Sequence, residues 1–530
     1  MPLSAKTRPP GSGPFGPPDG ARANWTEIRD NFVDFADQVD YDDDLASPPD
    51  DRSARVIVGK KGVGKTIYLR RFQANAAEDP SIYAVPVEHA VSPATEDVIR
   101  VCEFYPIQLA AEGWKWIWRR AIMRALASHL LGVTELRERL TAPQLHAIGT
   151  QFHRRLSSPQ RPIGVYAEAG SIAAEARSKE QLARELRHRD WIDLENILGE
   201  ILLKQPPISF YLDSIDEQFA TAPVFWLQCQ KGLWQEILEL YRDARFGNRL
   251  HVVASVRDLV RSSMMRGEHA TRFTRVPYIR VLDWDHASIR YLLHEKVRRL
   301  DSAFLMQPDK EGIRAWLGRE DIYNESRGVR ERLEDYLLRH TRQIPRDVVH
   351  LGNELSERVE RAKANGEKTV SDEEIRKAVG VVSKEFADEQ ITVCANHLAS
   401  DVMPRDAGGQ KYSHFYTSPE YTSLVEDDIC RFVKEVGTDR FPMSKLQDVL
   451  KEVKADSVRD HPRPLNVLWL NGLLGYDPSD ESQHRSHFYG AHDVADFELP
   501  DDKASYVFHP ILGHKVEIAA AGEKPVRPFL

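Results

Sequence analysis

Residues 55–72 read RVIVGKKGVGKTIYLRRF. The stretch contains G-x-x-x-x-G-K-[ST], with Gly59, Gly64, Lys65 and Thr66 at the fixed positions and Gly62 between them. An apolar β-branched run, Val56-Ile57-Val58, precedes it, and Thr66-Ile67-Tyr68-Leu69 follows with a helical pattern. Strand, glycine loop and helix in that order form a cradle for phosphate. Glycines let backbone N–H groups turn inward onto a β-phosphate, and the helix N-terminus adds its dipole. In such a cradle Lys65 reaches the β- and γ-phosphates, and the Thr66 hydroxyl ligates Mg²⁺. Gly59, Gly62, Gly64, Lys65 and Thr66 are therefore expected to hold a nucleotide.

Composition narrows the remaining classes. A chain of 530 residues has room for roughly two to four domains. Charged residues make up 29% and hydrophobic ones 42%, an ordinary soluble balance. The net charge of −9 gives no global reason for a polyanion partner, so a nucleic-acid surface would have to be local. Cys102, Cys229, Cys394 and Cys430 lie far apart with no C-x-x-C, which is neither a disulfide framework nor a zinc site. No apolar run approaches membrane-spanning length, and the first residues lack the apolar centre of a signal peptide. A cytoplasmic protein with no membrane partner is expected. The proline- and glycine-rich opening, MPLSAKTRPPGSGPFGPPDG, reads as a disordered tail over residues 1–24.

Residues 55–280 alternate apolar strands with helical patterns, which predicts a parallel α/β sheet. IYAVPVEHA reads as a strand, and the long run containing Trp114, Trp116 and Trp118 as a helix with those rings in a core or subunit contact. The charged stretch from about Ala167 to Arg189 reads as a solvent-facing helix. Beyond about Asp285 the pattern is helical, and Ser371 reads as the cap of a helix.

A phosphate loop requires a carboxylate near its Mg²⁺. PPISFYLDSIDEQF supplies one: Ile208 to Leu212 form a buried strand, and Asp213 stands at its C-terminal edge, where ligands sit in open α/β sheets. Three residues on are Asp216 and Glu217. Hydrolysis needs a carboxylate to orient water, and Glu217 is the first candidate, followed by Asp216. The alternative, that these acids only end a strand and cap a helix, stays open. A second buried strand, HVVASVRD, expected beside the acidic one, brings Ser255 and Arg257 towards the γ-phosphate; Arg257 could instead pair with an acidic neighbour.

Phosphate loop, YLDSIDE, VVASVRD, a helical region and a C-terminal region in that order resemble the additional-strand P-loop ATPases. The nearest groups are the AAA+ replication initiators and the STAND signalling ATPases. In AAA+ proteins the catalytic glutamate directly follows the magnesium aspartate; here Ser214 follows Asp213, a spacing similar to the STAND pattern. The chain also resembles uncharacterised bacterial P-loop ATPases found among phage-defence genes. The resemblance implies an ATPase core over residues 25–283, a helical lid over 284–380, and a connector with a winged-helix-like domain over 381–530. It implies ATP and Mg²⁺ as ligands and a homo-oligomer. It also implies a slow regulatory ATPase acting on a partner effector protein, in antiphage defence.

ATPases of this kind sense the γ-phosphate with arginines. TRQIPRDVV resembles the lid motif ending in Pro-Arg, which nominates Arg346, with Arg342 second; Pro345 suits a helix first turn. Arg272 and Arg275 lie where AAA+ proteins carry a finger for the adjacent subunit. Each could equally be a surface arginine. Three helical stretches, LVEDDICRFVKEVG, MSKLQDVLKEV and LNVLWLNGLLGYD, then precede two β segments, the order of a winged helix. The third is nearly all apolar, with Arg459 and Arg463 before it, and residues 421–530 carry 13 Lys/Arg against 19 Asp/Glu, a net of −6. A DNA-reading surface should be basic, so protein contacts are favoured over nucleic acid. The expected function is an ATP-driven regulatory switch. An initiator-like ATPase loading on DNA and a non-hydrolysing nucleotide-bound scaffold are the alternatives.

Overall fold

Three continuous apolar runs become the centre of a five-stranded, all-parallel sheet in the computed structural model. The strands are β1 (Val56–Gly59), β2 (Tyr83–Ala84), β3 (Ile208–Leu212), β4 (Leu250–Arg257) and β5 (Ile279–Val281), in the spatial order β2-β3-β4-β1-β5. Every residue of β1, β3 and β4 is buried, as strands covered on both faces require. The protein is a mixed α/β chain. Described are residues 13–20, 55–89, 93–106, 109–152, 162–186, 189–213, 222–246, 249–265, 279–325, 328–401, 419–459, 463–478, 486–489 and 498–516, with single positions at 23, 25, 28, 32, 33 and 461. Among these no helix is long and apolar enough to cross a membrane.

The chain divides into two compact units. One comprises Ala36–Lys61 and Lys65–Leu282 and holds the parallel sheet; the other comprises Met1–Phe35, Gly62–Gly64 and Asp283–Leu530.

In the sheet unit, helix α1 (Lys65–Ala77) follows the glycine loop, and the long helix α2 (Ala110–Gly132) packs against α3 (Val165–Glu175) and α4 (Pro223–Arg242). Trp114 and Trp118 on α2 are fully buried, their indole N–H groups donating to Cys102 Sγ (3.3 Å) and the Cys229 carbonyl (2.9 Å). They are core residues. Two expectations change. The strand expected over IYAVPVEHA is only two residues long, because Pro86 brings no N–H to the ladder; Glu88 then makes one isolated bridge to Leu212. The helix expected to face solvent is instead the buried α3, whose Ala169, Gly170 and Ala173 are small enough to lie against a neighbour. It ends at Glu175, and a separate helix runs from Lys179 to Leu186.

The second unit opens with α5 (His286–Arg298), capped by Asp285 accepting from the Ser288 N–H (2.8 Å), and α6 (Gly312–Leu317). A hairpin of β6 (Asp321–Asn324) and β7 (Val329–Arg332) leads into α7 (Leu333–Arg339), α8 (Pro345–Ala364) and α9 (Asp372–Asp401). Pro345 is in the first turn of α8, and Ser371 Oγ accepts from the Glu374 N–H at the start of α9 (3.2 Å). Then come α10 (Pro419–Val436), β8 (Arg440–Phe441), α11 (Met443–Glu452), α12 (Pro464–Leu470), β9 (Leu474–Tyr476), β10 (His487–Phe488) and β11 (Tyr506–Phe508). The four strands form an antiparallel sheet in the order β10-β9-β11-β8. The run LNVLWLNGLLGYD is thus not one helix. Gly472, at φ 68°, turns the chain after α12: its N–H bonds the Trp469 carbonyl (2.8 Å) and the Leu473 N–H the Leu468 carbonyl (3.0 Å). The paired bonds are those of a left-handed helix stop.

The contact of α2 with α4 depends on Gly232. A Cβ there would meet Trp114 Cβ at 2.6 Å, the Lys115 backbone nitrogen at 2.7 Å and the Ala111 carbonyl at 2.8 Å. Two of these neighbours are backbone and cannot swing aside. Gly232→Ala is expected to destabilise the protein by about 1–3 kcal/mol, although alanine is the better helix former. A urea titration showing an unchanged or higher midpoint would contradict this packing.

Candidate functional site

The loop between β1 and α1 carries Lys60–Gly64, with Gly62 at φ 89° and Gly64 at φ 99°, backbone that L side chains rarely adopt. Lys65, 5% exposed, folds its ammonium back over the loop and donates to the Gly59 and Lys60 carbonyls, both at 3.0 Å. Thr66, the second residue of α1, donates its hydroxyl to Asp213 Oδ1 at 3.1 Å.

Asp213 follows the last residue of β3, and its position is fixed from several sides. Strand β4 lies between β1 and β3, with Ile57 and Ser255 in register; Ser255 Oγ donates to Asp213 Oδ1 at 3.0 Å. The Asp213 N–H bonds the Glu88 carbonyl (2.8 Å), and the Tyr166 hydroxyl donates to the Asp213 carbonyl. The other carboxylate oxygen, Oδ2, meets His89 Nδ1 at 3.1 Å. The Glu88 carboxylate accepts from the Val165 and Tyr166 N–H groups (2.9 and 3.0 Å) at the start of α3. Burial raises the Glu88 pKa, and those two N–H bonds offset part of the rise. A strand end, a neighbouring strand and a helix start therefore converge on one carboxylate.

Of the residues nominated from the sequence, Lys65, Thr66, Asp213 and Ser255 come together here. Arg257 ends β4 beside Gly59, is buried, and its N–H donates to Gln230 Oε1 at 3.3 Å. Asp216 and Glu217 lie outside the described residues, as do Arg272 and Arg275. In the second unit, the Arg346 N–H donates to the Gly62 carbonyl at 3.2 Å, and the guanidinium pairs with Glu389 at 2.6 Å. Gly62 also has no room for a side chain, since a Cβ would meet Ile344 Cδ1 at 2.7 Å. Arg342 bonds both oxygens of the buried Asp347 (2.8 and 2.9 Å) and reaches Glu389 at 3.2 Å, so it is tied to α8 and α9. Gln343, next to it, is a non-glycine residue at φ 54°.

Sequence reasoning missed His89, Glu88 and Tyr166. A signal for His89 was present: it is the last residue but one of the segment read as a strand, and strand C-termini are where an open parallel sheet gathers its functional groups.

The donor set fits Mg²⁺. A hydroxyl and a carboxylate 3.1 Å apart are hard oxygen ligands, and Mg²⁺ commonly takes one or two protein oxygens, filling its shell with phosphate oxygens and water. Thr66 and Asp213 would hold the ion, with Ser255 and His89 orienting the carboxylate. No protein-family model matches the chain, and a search of curated proteins finds no match to it.

His89 touches the carboxylate and makes no part of the loop. His89→Ala is expected to raise the Mg²⁺ concentration for half-maximal nucleotide binding about tenfold. Binding measured in EDTA should not change. An equal loss in both conditions would show that the side chain supports the loop and not the ion site.

Proposed function

We infer that the protein binds and hydrolyses ATP as a regulatory switch, its nucleotide state setting the assembly or activation of a partner effector. The observation that carries this reading is the meeting of Thr66, Ser255 and Asp213 beside the glycine loop and Lys65. A loop followed by a helix N-terminus supplies N–H groups for phosphate, Lys65 a point charge, and Thr66 with Asp213 the ion ligands. Glu217, or Asp216, orients the attacking water. The strand order gives independent support: β4 separates the loop strand from the acidic strand, as the resemblance to additional-strand ATPases implies.

The C-terminal order of α10, β8, α11, a four-residue helix Asp456–Arg459, α12, β9, β10 and β11, with β11 between β8 and β9, supports a winged-helix-like domain. Its last helix, α12, buries Val467, Leu468 and Trp469, and it packs against α9 in the same unit. Just past its end, Asn471 Nδ2 bonds His397 Nδ1 on α9 at 3.1 Å. A helix engaged in this way favours a domain built for protein contacts over one that reads DNA.

Arg346 is the proposed sensor of nucleotide state. It stands at the loop tip through its backbone, while Glu389 holds its guanidinium. A γ-phosphate would have to win the guanidinium from that carboxylate, so both residues bear on ATP and much less on ADP. A ligand shifts an equilibrium only by its differential affinity for the two states.

Lys65→Ala should weaken ATP binding severely in a calorimetric titration, because it removes the charge facing the phosphates. Unchanged affinity would sink the nucleotide reading as a whole. Glu217→Gln should keep ATP affinity while slowing phosphate release far below wild type; if only Asp216→Asn arrests turnover, the roles are exchanged.

Arg346→Ala should reduce ATP affinity relative to ADP by about 1–3 kcal/mol, the range of a charge-assisted contact and of ordinary coupling energies. Glu389→Gln should act in the opposite direction by freeing the guanidinium. Light scattering after size exclusion, without nucleotide and with a slowly hydrolysed ATP analogue, reads whether assembly follows. Identical shifts for ATP and ADP in both variants would remove the sensor role.

A further inference from the structure

Residues 13–20, inside the segment expected to lack structure, are seated on the second unit. Gly13 and Gly16 form an isolated bridge, with the Gly16 N–H on the Gly13 carbonyl at 2.9 Å and Gly16 at φ 98°. The turn presents Phe15, which is 1% exposed. Its ring lies 4.9 Å from that of Trp316 on α6 and directly on Gly352 of α8, where a Cβ would overlap it. Asn353 reads the backbone on both sides of the ring. Its Oδ1 accepts from the Phe15 N–H at 2.8 Å, and its Nδ2 donates to the Gly16 carbonyl at 3.0 Å. Lys296 on α5 donates to the Phe15 carbonyl at 3.1 Å. Burial pulls the Lys296 ammonium down to about 8, so the carbonyl sits against a desolvated donor.

We propose that this slot is a peptide-binding site for a Gly-Pro-Phe-Gly turn, whose ligand exchanges between the chain's own N-terminal segment and that of a second copy. The chemistry is that of short-peptide recognition. One aromatic anchor fills a cleft, three donors and acceptors read main chain, and no ligand charge is used. Phe15 is the single aromatic residue in the first 24, and Pro14, Pro17 and Pro18 restrict the segment before it binds. Fewer conformations are then lost on docking. The slot is equally specific: Gly352 must lack a side chain, and Asn353 must present an amide edge. Exchange is permitted by chain length. Ala23, Ile28 and Val33 are also buried and the Phe32 carbonyl accepts from Arg299 (2.9 Å), so the exchanging piece is the whole segment up to Val33, with residues 34–54 as a tether long enough to extend roughly 70 Å. Tethered to its own slot, the segment acts at an effective concentration in the millimolar range. A second copy competes once the two are held together.

The test is fluorescence anisotropy with a labelled synthetic peptide of residues 11–20, GSGPFGPPDG, on the full chain carrying Phe15→Ala, which vacates the slot. Saturable binding at least tenfold tighter than to the wild-type chain is expected, because the wild-type segment competes. A peptide with alanine in place of Phe15 should not bind, and adding Asn353→Ala to the chain should weaken binding at least tenfold. Exchange is read by mixing the Phe15→Ala chain with a Gly352→Val chain, whose slot is blocked but whose segment is intact. The mixture should form a heterodimer that neither chain forms alone. If Phe15→Ala does not fold, Phe15→Leu replaces it with the same expectations. A folded, vacated chain that ignores the peptide, or binds the alanine peptide equally well, overturns the site. Peptide binding with no heterodimer overturns the exchange. None of these readouts involves nucleotide, so the outcome is separate from that of the ATPase reading.

Discussion

The carboxylate of Asp213 must be held beside the glycine loop although its strand is not the neighbour of the loop's strand. With β4 between them, β1 and β3 stand two strand spacings apart, roughly 10 Å. The gap is closed by side chains. Ser255 on the intervening strand reaches one way, and Thr66, one residue into the helix after the loop, reaches from the other; both end on the same oxygen of Asp213. The geometry therefore needs a small hydroxyl at position 255. A larger residue would push the carboxylate away from Thr66, and an apolar one would leave a buried oxygen short of a donor. The second oxygen of the carboxylate is taken by His89, so both oxygens of the acid are held by neighbouring side chains.

What the sequence disclosed and what it hid follow from the range of the interactions concerned. Val56–Gly59, Ile208–Leu212 and Leu250–Arg257 were legible because parallel strands buried on both faces read as near-continuous apolar runs, a property local to each run. The glycine loop was legible because its backbone geometry needs particular residues at particular places. The position of His89 near a strand end was legible, but its partner was not, because Asp213 is 124 residues away. The burial of α3 was hidden for a related reason: its polar residues suggest solvent, but Glu168 is buried beside Arg124 at 3.6 Å, a pairing that no helical period reveals. Phe15 was hidden by its surroundings. Proline and glycine usually signal a chain that cannot bury enough to fold, yet one aromatic ring between them suffices when another part of the chain offers a slot.

The second unit shows how close approach and charge divide the work. Where backbones must touch, glycine appears. Gly352 under the Phe15 ring and Gly62 under Ile344 are positions where a methyl group has no space. Where helices must keep a fixed spacing, ion pairs cross between them. Glu389 on α9 takes both Arg342, from the turn before α8, and Arg346, from α8 itself, and the fully buried Asp347 also takes Arg342. Paired arginines on one carboxylate repel each other while sharing it, so the arrangement can tolerate losing one to another anion. A buried bidentate pair such as Arg342 with Asp347 cannot, because breaking it strands a charge out of water.

That asymmetry assigns different parts to two arginines separated by only three residues. Arg342 is committed: both oxygens of Asp347, one of Glu389 and the Gln390 amide oxygen (2.7 Å) occupy its donors. Arg346 makes one charged contact by its guanidinium and one neutral contact by its backbone, and the second is with the loop itself. A residue anchored to the loop by its main chain keeps its position when its side chain changes partner. Arg342 therefore fixes the turn before α8 to α9, which leaves Arg346 as the arginine suited to the proposed sensor role.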